Sequence, residues 1–381
     1  MIYLNNAATS FPKPPEVHRA VAECLHSEPF HADRVGFDRS AHNVIRGCRE
    51  NLARLFQASD PDSIVLTSGA TESLNLALFG SCLRGHVVTT AIEHNSVLRP
   101  LRRLEKAGRI RKTVVSCDAN GWVAPVDIAA AIRPDTCAIV VNHCSNVTGQ
   151  AQDLAAIASV ASERGAVLIV DASQSAGIVE IDLSDWRIDL LAFAGHKSLY
   201  GLPGVGGLYI REPLSLEPLK VGGTGVRSDL ADQPREMPMY YEAGTPNTPG
   251  IAALDAGVRF VLDHGVGEIR RQVRRLVGRL AAELATIPEV RLYAPDAARD
   301  SACMLSFNIE GLDPEEAGYL LDQSFGMAIR SGLHCAPLIH RPLGSAPGGS
   351  IRVSPSYFTT DREIDQFLDA VKALVAHGCP A

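Results

Sequence analysis

Lys197 follows an apolar run, Ile188 to Phe193, by way of Gly195 and His196. A second run, Val167-Leu-Ile-Val, ends in Asp171, with Gln174 three residues on. Lysines are mostly solvated, so Lys197 alone would say little. An amine and a carboxylate at the ends of two neighbouring buried strands say more. The amine can condense with an aldehyde, and the acid can hold a pyridinium nitrogen protonated. That pairing suits a pyridoxal 5'-phosphate site.

Other polar residues fall at comparable places. Ser63-Ile-Val-Leu-Thr67 reads as a strand, and Ser68-Gly-Ala70-Thr71-Glu-Ser73 turns into a helix carrying Leu74, Leu76 and Leu78. A helix start with free N–H groups after a Gly turn is an anion site, or else an ordinary helix capped by Thr71. His86–Thr90 reads as a strand followed by Glu93-His94-Asn95. Cys137–Asn142 reads as another, followed by Asn146-Val-Thr-Gly149. Alternating strands and helices predict a parallel sheet covered on both faces. Ligands of such sheets gather at the carboxyl ends of strands, where Thr71, His94, Asn146, Asp171, Gln174 and Lys197 all fall.

The bulk properties narrow the class. The chain has 381 residues, 46% hydrophobic and 21% charged, with a net charge of −7. This is a globular composition, and the acidic balance argues against nucleic acid as a partner. No apolar run of about 18 residues marks a membrane span, and no secretory signal pattern opens the chain. The nine cysteines are scattered and contain no C-x-x-C pair. They point to a reducing cytoplasm rather than to disulfides or zinc. His334, Cys335 and His340 match no common zinc spacing, so no metal site is expected. Gly201-Leu-Pro-Gly-Val-Gly-Gly207 precedes a strand instead of opening a helix, which fails the context of a dinucleotide loop.

Residues 1–15 read as an extended arm, and His31–Asn43 as a polar loop before a helix that ends near Phe56. Residues 213–250 are irregular and rich in Pro and Gly, which suggests a functional or inter-subunit segment. Two helices follow, around Ile251–Leu262 and Ile269–Leu284. From about 287 a smaller α/β unit begins, with strands at Ala302–Ile309, Met327–Arg330 and Ser350–Ser354. Between the last two lies the loop Ser331-Gly-Leu-His-Cys335-Ala-Pro337. Cys335 alone could be an inert thiol, but a Gly- and Pro-bounded loop next to His334 and Arg330 is the kind of electropositive, exposed setting that lowers a thiol pKa. The last helix opens with a capping box, Thr360-x-x-Glu363.

Taken together, Thr67-Ser-Gly-Ala-Thr-Glu-Ser73, Glu93-His-Asn95, Asn146-Val-Thr-Gly149, Asp171-x-x-Gln174, Gly195-His-Lys197, Glu242-Ala-Gly-Thr-Pro-Asn247, Arg330-Ser-Gly-x-His-Cys335-Ala and Arg352-x-Ser354 resemble the class V aminotransferases. Within them the chain most resembles the cysteine desulfurases and selenocysteine lyases, of the subtype with a short catalytic-cysteine loop. The resemblance covers nearly the whole chain. It implies the fold type I of pyridoxal phosphate-dependent transferases, with a large, mostly parallel sheet domain (16–260) and a smaller α/β domain (1–15 and 261–381). It implies that Lys197 forms the Schiff base and moves the Cα proton, that Asp171 pairs with the pyridinium nitrogen, and that Gln174 meets the ring phenolate oxygen. His94 would stack on the ring. The Ala70 amide, Thr71 and His196 would hold the phosphate, with Thr245 reaching over from the partner of a homodimer. Asn146, Arg330 and Arg352 would serve the substrate, and Cys335 would accept sulfur. Ala194 stands where the family usually has Ser or Thr, so one phosphate hydroxyl is missing.

The implied reaction converts L-cysteine to alanine and leaves a persulfide on Cys335 for a sulfur-acceptor protein or small thiol. Selenocysteine lyase, another C–S lyase or an epimerase on the same scaffold is the alternative. A non-catalytic sulfur carrier is a third reading, which intact Lys197, Asp171 and Arg352 argue against.

Overall fold

The computed structural model describes residues 1–26, 39–225, 227–296, 298–299, 301 and 304–377. Strand β1 (Ile2–Tyr3) leads to helices α1 (Pro15–His26) and α2 (Arg39–Phe56). Of the expected loop at 31–43, residues from Arg39 onward are helical, and the rest lie outside the described residues. Strand and helix then alternate: β2 (Ile64–Thr67), α3 (Ala70–Gly80), β3 (Gly85–Thr90), α4 (Asn95–Lys106), β4 (Ile110–Val115), α5 (Pro125–Ala131), β5 (Thr136–Asn142), α6 (Leu154–Arg164), β6 (Val167–Asp171), β7 (Leu190–Ala194) and β8 (Gly206–Ile210).

Strands β2 to β8 form one seven-stranded sheet in the order β2-β8-β7-β6-β5-β3-β4. From β4 to β7 every neighbour is parallel, and β8 runs antiparallel to both β7 and β2. The central strands carry unbroken apolar runs because both faces are covered. Val88, Ile139, Val170 and Leu191 pack into the core on one face, and Val87, Val140, Ile169 and Leu190 into the core on the other. The alternation follows the two-residue period of a strand.

Helices α7 (Thr248–His264) and α8 (Val266–Leu284) lead to the C-terminal elements β9 (Val290–Tyr293), β10 (Leu305–Ile309), α9 (Pro314–Phe325), β11 (Met327–Ala328), β12 (Arg330–Gly332), α10 (His340–Leu343), β13 (Ser350–Val353) and α11 (Asp361–His377). Four of these strands make an antiparallel sheet, β12-β13-β10-β9. The capping box before α11 is formed: the Thr360 N–H donates to Glu363 Oε2 at 2.8 Å, and the Glu363 N–H to Thr360 Oγ1 at 3.3 Å. No helix among the described residues is long and apolar enough to cross a membrane.

The N-terminal arm stitches the two sheets together beside the site. β1 pairs in parallel with β11. The Ala7 N–H donates to Ser354 Oγ at 2.9 Å, and the Ser10 N–H to the His196 carbonyl at 3.0 Å. The arm therefore holds the end of β13 on one side and the turn after β7 on the other.

Candidate active site

The carboxyl ends of β2, β3, β5, β6 and β7 open on a cavity of about 340 Å³. Its walls include Ala70, Thr71, His94, Asn146, Asp171, Gln174, His196 and Lys197 from the large sheet, and Arg330 and Arg352 from the small one. Eleven residues were expected at the cofactor and substrate sites, besides Cys335. All but Thr245 meet here.

Asp171 closes β6 and is 2% exposed. The Ser173 N–H and Oγ–H both donate to its Oδ1, at 2.9 and 2.5 Å. This local turn fixes the carboxylate while holding its charge at the strand end. Ser173 was not anticipated, although Asp-x-Ser is the pattern such a turn requires. Lys197 lies past the end of β7, and the carbonyl of its neighbour His196 accepts from Lys13 Nζ at 3.0 Å.

Helix α3 excludes the alternative of a cap by Thr71. Its N-cap is Gly69, at φ +145°, and no side chain caps it. Thr71 stands in the first turn instead, with Oγ1 2.9 Å from Ser96 Oγ. The first N–H groups of a helix have no intrahelical acceptor, so this uncapped turn keeps donors for an anion. Strand β8 must pass close to it. A Cβ at Gly206 would sit 2.7 Å from Gly69 Cα and 2.5 Å from the Phe193 carbonyl oxygen, so only glycine fits.

His94 is the N-cap of α4: its Nδ1 accepts from the Ser96 N–H at 3.0 Å and lies 2.9 Å from Ser96 Oγ. With Nδ1 accepting, the neutral ring carries its proton on Nε2. Burial lowers the His94 pKa, opposed by nearby Asp171. His196 is pushed down to about 4, mainly by burial and then by Lys197 and Lys13. Its Nδ1 is buried with no hydrogen-bond partner among the described residues.

Arg352 is 1% exposed; its Nη1 donates to the Asn146 carbonyl at 2.7 Å and its Nη2 to Asn5 Oδ1 at 3.3 Å. Asn146 Nδ2 in turn donates to the His334 carbonyl at 2.5 Å. Gln174 Nε2 donates to the Ala7 carbonyl at 3.0 Å, which anchors the arm. Ala7 carried no chemical signal in the sequence, because it acts through its carbonyl and N–H, and Asn5 takes part through its side-chain Oδ1.

Two expected residues stand outside this cavity. Cys335 lines an adjoining cavity of about 440 Å³, which shares Thr71, His94 and Ser96 with the first. Its carbonyl accepts from the Asn95 N–H at 2.7 Å. Thr245 lines a third cavity with Arg49, Lys220 and Glu242, which shares Ser68 and Gly204 with the first, but Thr245 itself does not line the first.

The donor set fits pyridoxal phosphate. An amine is present for the aldehyde and an anchored carboxylate for the ring nitrogen. A near-neutral imidazole walls the cavity, and an uncapped helix start, a hydroxyl and a buried ring nitrogen without a partner are present for the phosphate.

The chain matches the class-V aminotransferase family over residues 2–367. It is 32% identical to a probable cysteine desulfurase of Methanothermobacter thermautotrophicus, over 99% of this chain and 95% of that protein. It is 34% identical to the cysteine desulfurase IscS of Azotobacter vinelandii, over 96% of this chain and 90% of that one. The apo structure of a cysteine desulfurase from Thermococcus onnurineus NA1 superposes with a TM-score of 0.92 at 33% identity, over 99% of this chain and 95% of that one. The match is full-length on both sides and extends through the loop that carries Cys335; the chain belongs to the class-V aminotransferases and, within them, to the cysteine desulfurases.

Proposed function

We propose that this chain converts L-cysteine to L-alanine with pyridoxal 5'-phosphate as cofactor and Cys335 as the residue that takes the sulfur. The observation that carries the reading is the position of Cys335. It lines the cavity that adjoins the first, and Arg330, which lines the first, has its Nη2 3.5 Å from the Cys335 sulfur. A lyase or epimerase that releases its product directly needs no second thiol there.

When bound, the cofactor supplies an electron sink for charge developing at Cα. Asp171, held by Ser173, keeps a negative charge against the ring nitrogen. Lys197 would hold the aldehyde end of the cofactor and carry the Cα proton on its Nζ. His94, whose pKa burial lowers, would wall the ring site. The first turn of α3, Thr71 and His196 receive the phosphate, and Gln174 meets the ring oxygen. Arg352 and Asn146 hold the substrate carboxylate through charge-assisted hydrogen bonds. The Cys335 thiolate would attack the substrate sulfur; the C–S bond breaks, its electron pair stays with the substrate carbon, which takes a proton and leaves as alanine, and a persulfide remains on Cys335. Cys335 must approach the first cavity for this, so the loop around it moves during turnover.

We read residues 16–260 as the large domain and 1–15 with 261–381 as the small one. The seven-stranded sheet within 64–210 and the four-stranded sheet within 290–353 support that division. We also read the protein as a homodimer in which Thr245 completes the partner's phosphate site, since Thr245 stands outside the cavity of its own chain. Seven free thiols among the described residues support a reducing, cytoplasmic setting.

The test is a product assay on the holoenzyme with L-cysteine and a thiol reductant, alongside Cys335→Ala. Equal amounts of alanine and sulfide, both collapsing in the variant, are expected. Pyruvate and ammonia, or alanine that survives the substitution, would sink the mechanism.

A further inference from the structure

The second cavity has a chemistry of its own. Its walls come from α3, α4 and Cys335, and Arg99 and Arg103 stand on it one helical turn apart. Neighbouring Arg102 is tied to Glu105 at 2.8 Å, but among the described residues no ion pair holds Arg99 or Arg103. Arg103 lies over the Phe79 ring, 5.3 Å from its centroid, which aims its guanidinium and gives the cavity an apolar wall. Among the described residues no acidic side chain lines the cavity. This cationic concavity stands on a chain of net charge −7. At about 440 Å³ it has the size of a small-molecule site rather than of a protein-docking surface.

We propose that this cavity seats the sulfur acceptor, and that the acceptor is a small thiol carrying two carboxylates. The inference rests on the reading of Cys335 as the persulfide carrier. Arg99 and Arg103 bind the carboxylates, and Phe79 and Pro100 contact the carbon chain. The acceptor thiolate attacks the outer sulfur of the Cys335 persulfide. A new S–S bond forms to the acceptor, the bond to Cys335 breaks, and the electron pair leaves on the Cys335 thiolate beside Arg330. The proton stays with the transferred sulfur. Summed with the first half-reaction, L-cysteine and RSH give alanine and RSSH, with no outside oxidant or reductant.

The experiment measures alanine formation by the holoenzyme at fixed L-cysteine with three acceptors: mercaptosuccinate (anionic), dithiothreitol (neutral) and cysteamine (cationic). Each variant is compared with the unmodified chain thiol by thiol, which cancels intrinsic nucleophilicity. In R99Q/R103Q the KM for mercaptosuccinate is expected to rise about tenfold relative to that for dithiothreitol. In R99E/R103E the preference is expected to turn toward cysteamine, a gain that a merely unfolded variant would not show. A single turnover without added acceptor separates the two readings. If it yields no alanine, the desulfurase reading fails and this proposal with it. If it yields alanine but the three thiols respond alike to both variants, or no small thiol saturates the enzyme, the acceptor cavity alone is overturned and a protein acceptor takes its place.

Discussion

Arg330 and Cys335 belong to one short strand-to-loop passage, yet each opens on a different cavity, and Arg330 Nη2 reaches back to within 3.5 Å of the Cys335 sulfur. His334 and Cys335 are both left-handed, at φ +50° and +59°. Two successive non-glycine residues in that region cost on the order of 1–2 kcal/mol each. The strain accompanies a chain reversal that points His334 into the first cavity and Cys335 into the second, with Arg330 bridging them.

The first prediction follows from that bridge. If Cys335 takes the sulfur as proposed, a guanidinium beside it would stabilise the negative charge that develops on that sulfur during transfer. Hydrogen bonds to charged groups are worth roughly 1.5–3 kcal/mol. Arg330→Gln should therefore lower kcat/KM for L-cysteine by about ten- to a hundredfold, and Arg330→Lys by less. Stopped-flow alanine formation measures this. A wild-type rate in Arg330→Gln would remove Arg330 from the sulfur chemistry.

Asp171 and Ser173 give the second. Loss of the charge in Asp171→Asn should cost about 10²–10³ in kcat, the range for removing one preorganised electrostatic contact. Ser173→Ala keeps the charge and the backbone N–H, and loses only the hydroxyl at 2.5 Å. It should cost about tenfold or less, with an altered absorption band of the bound cofactor. Equal losses in the two variants would mean that Ser173 does more than aim the carboxylate.

The strand ends were legible because buried parallel strands must be apolar, so a carboxylate or amine beside such a run stands out. Asp171 and Lys197 are of this kind. Strand β4 was hidden for the opposite reason. It is an edge strand, Ile-Arg-Lys-Thr-Val-Val, whose Arg111 faces solvent and whose Lys112 pairs with Glu105, so the two charges break the apolar run. The short α5 and β9 were missed as well. A cap by Thr71 was the alternative to an anion site because its type suits one, but the N-cap is Gly69, two residues earlier. Nothing in a linear pattern separates Cys335 from the first cavity, since that depends on two left-handed residues of ordinary type.

The third prediction concerns pH. Glu93 is fully buried, and burial raises its pKa to about 8 although the Thr90 hydroxyl and the Asn142 N–H both donate to Oε1. A folded pKa above the unfolded one gives stability that is present at low pH and lost as pH rises through about 8. Glu93→Gln stays neutral throughout, so its Tm relative to the parent should climb between pH 5 and pH 8.5. His143 works in the other direction. Burial takes its pKa to about 3, so its contribution is complete above the ordinary histidine range and is lost as pH falls from about 6.5 towards 3. His143→Asn should flatten the acid limb. A melting series across pH on the three proteins tests both, and a pH-independent difference for Glu93→Gln would show that the Glu93 carboxyl is already ionised in the fold.

The last prediction concerns Ala194, which ends β7, is 4% exposed and lines the cavity with Ala70, Thr71 and His196. A hydroxyl there would stand among the groups assigned to the phosphate. Ala194→Ser adds one donor where a charge-assisted bond is worth roughly 1.5–3 kcal/mol, less the cost of burying the hydroxyl when no anion is bound. About tenfold tighter cofactor binding is expected, measured by titrating the apoprotein with pyridoxal phosphate and following the absorbance of the bound form. Ala194→Val separates the hydroxyl from the added volume, because it fills the same space without a donor and should bind no better than the parent. If serine and valine tighten binding equally, the gain is packing and Ala194 does not face the phosphate. If serine loosens binding while the fold melts at the parent temperature, the phosphate lies elsewhere, and the assignment of the α3 turn and His196 falls with it.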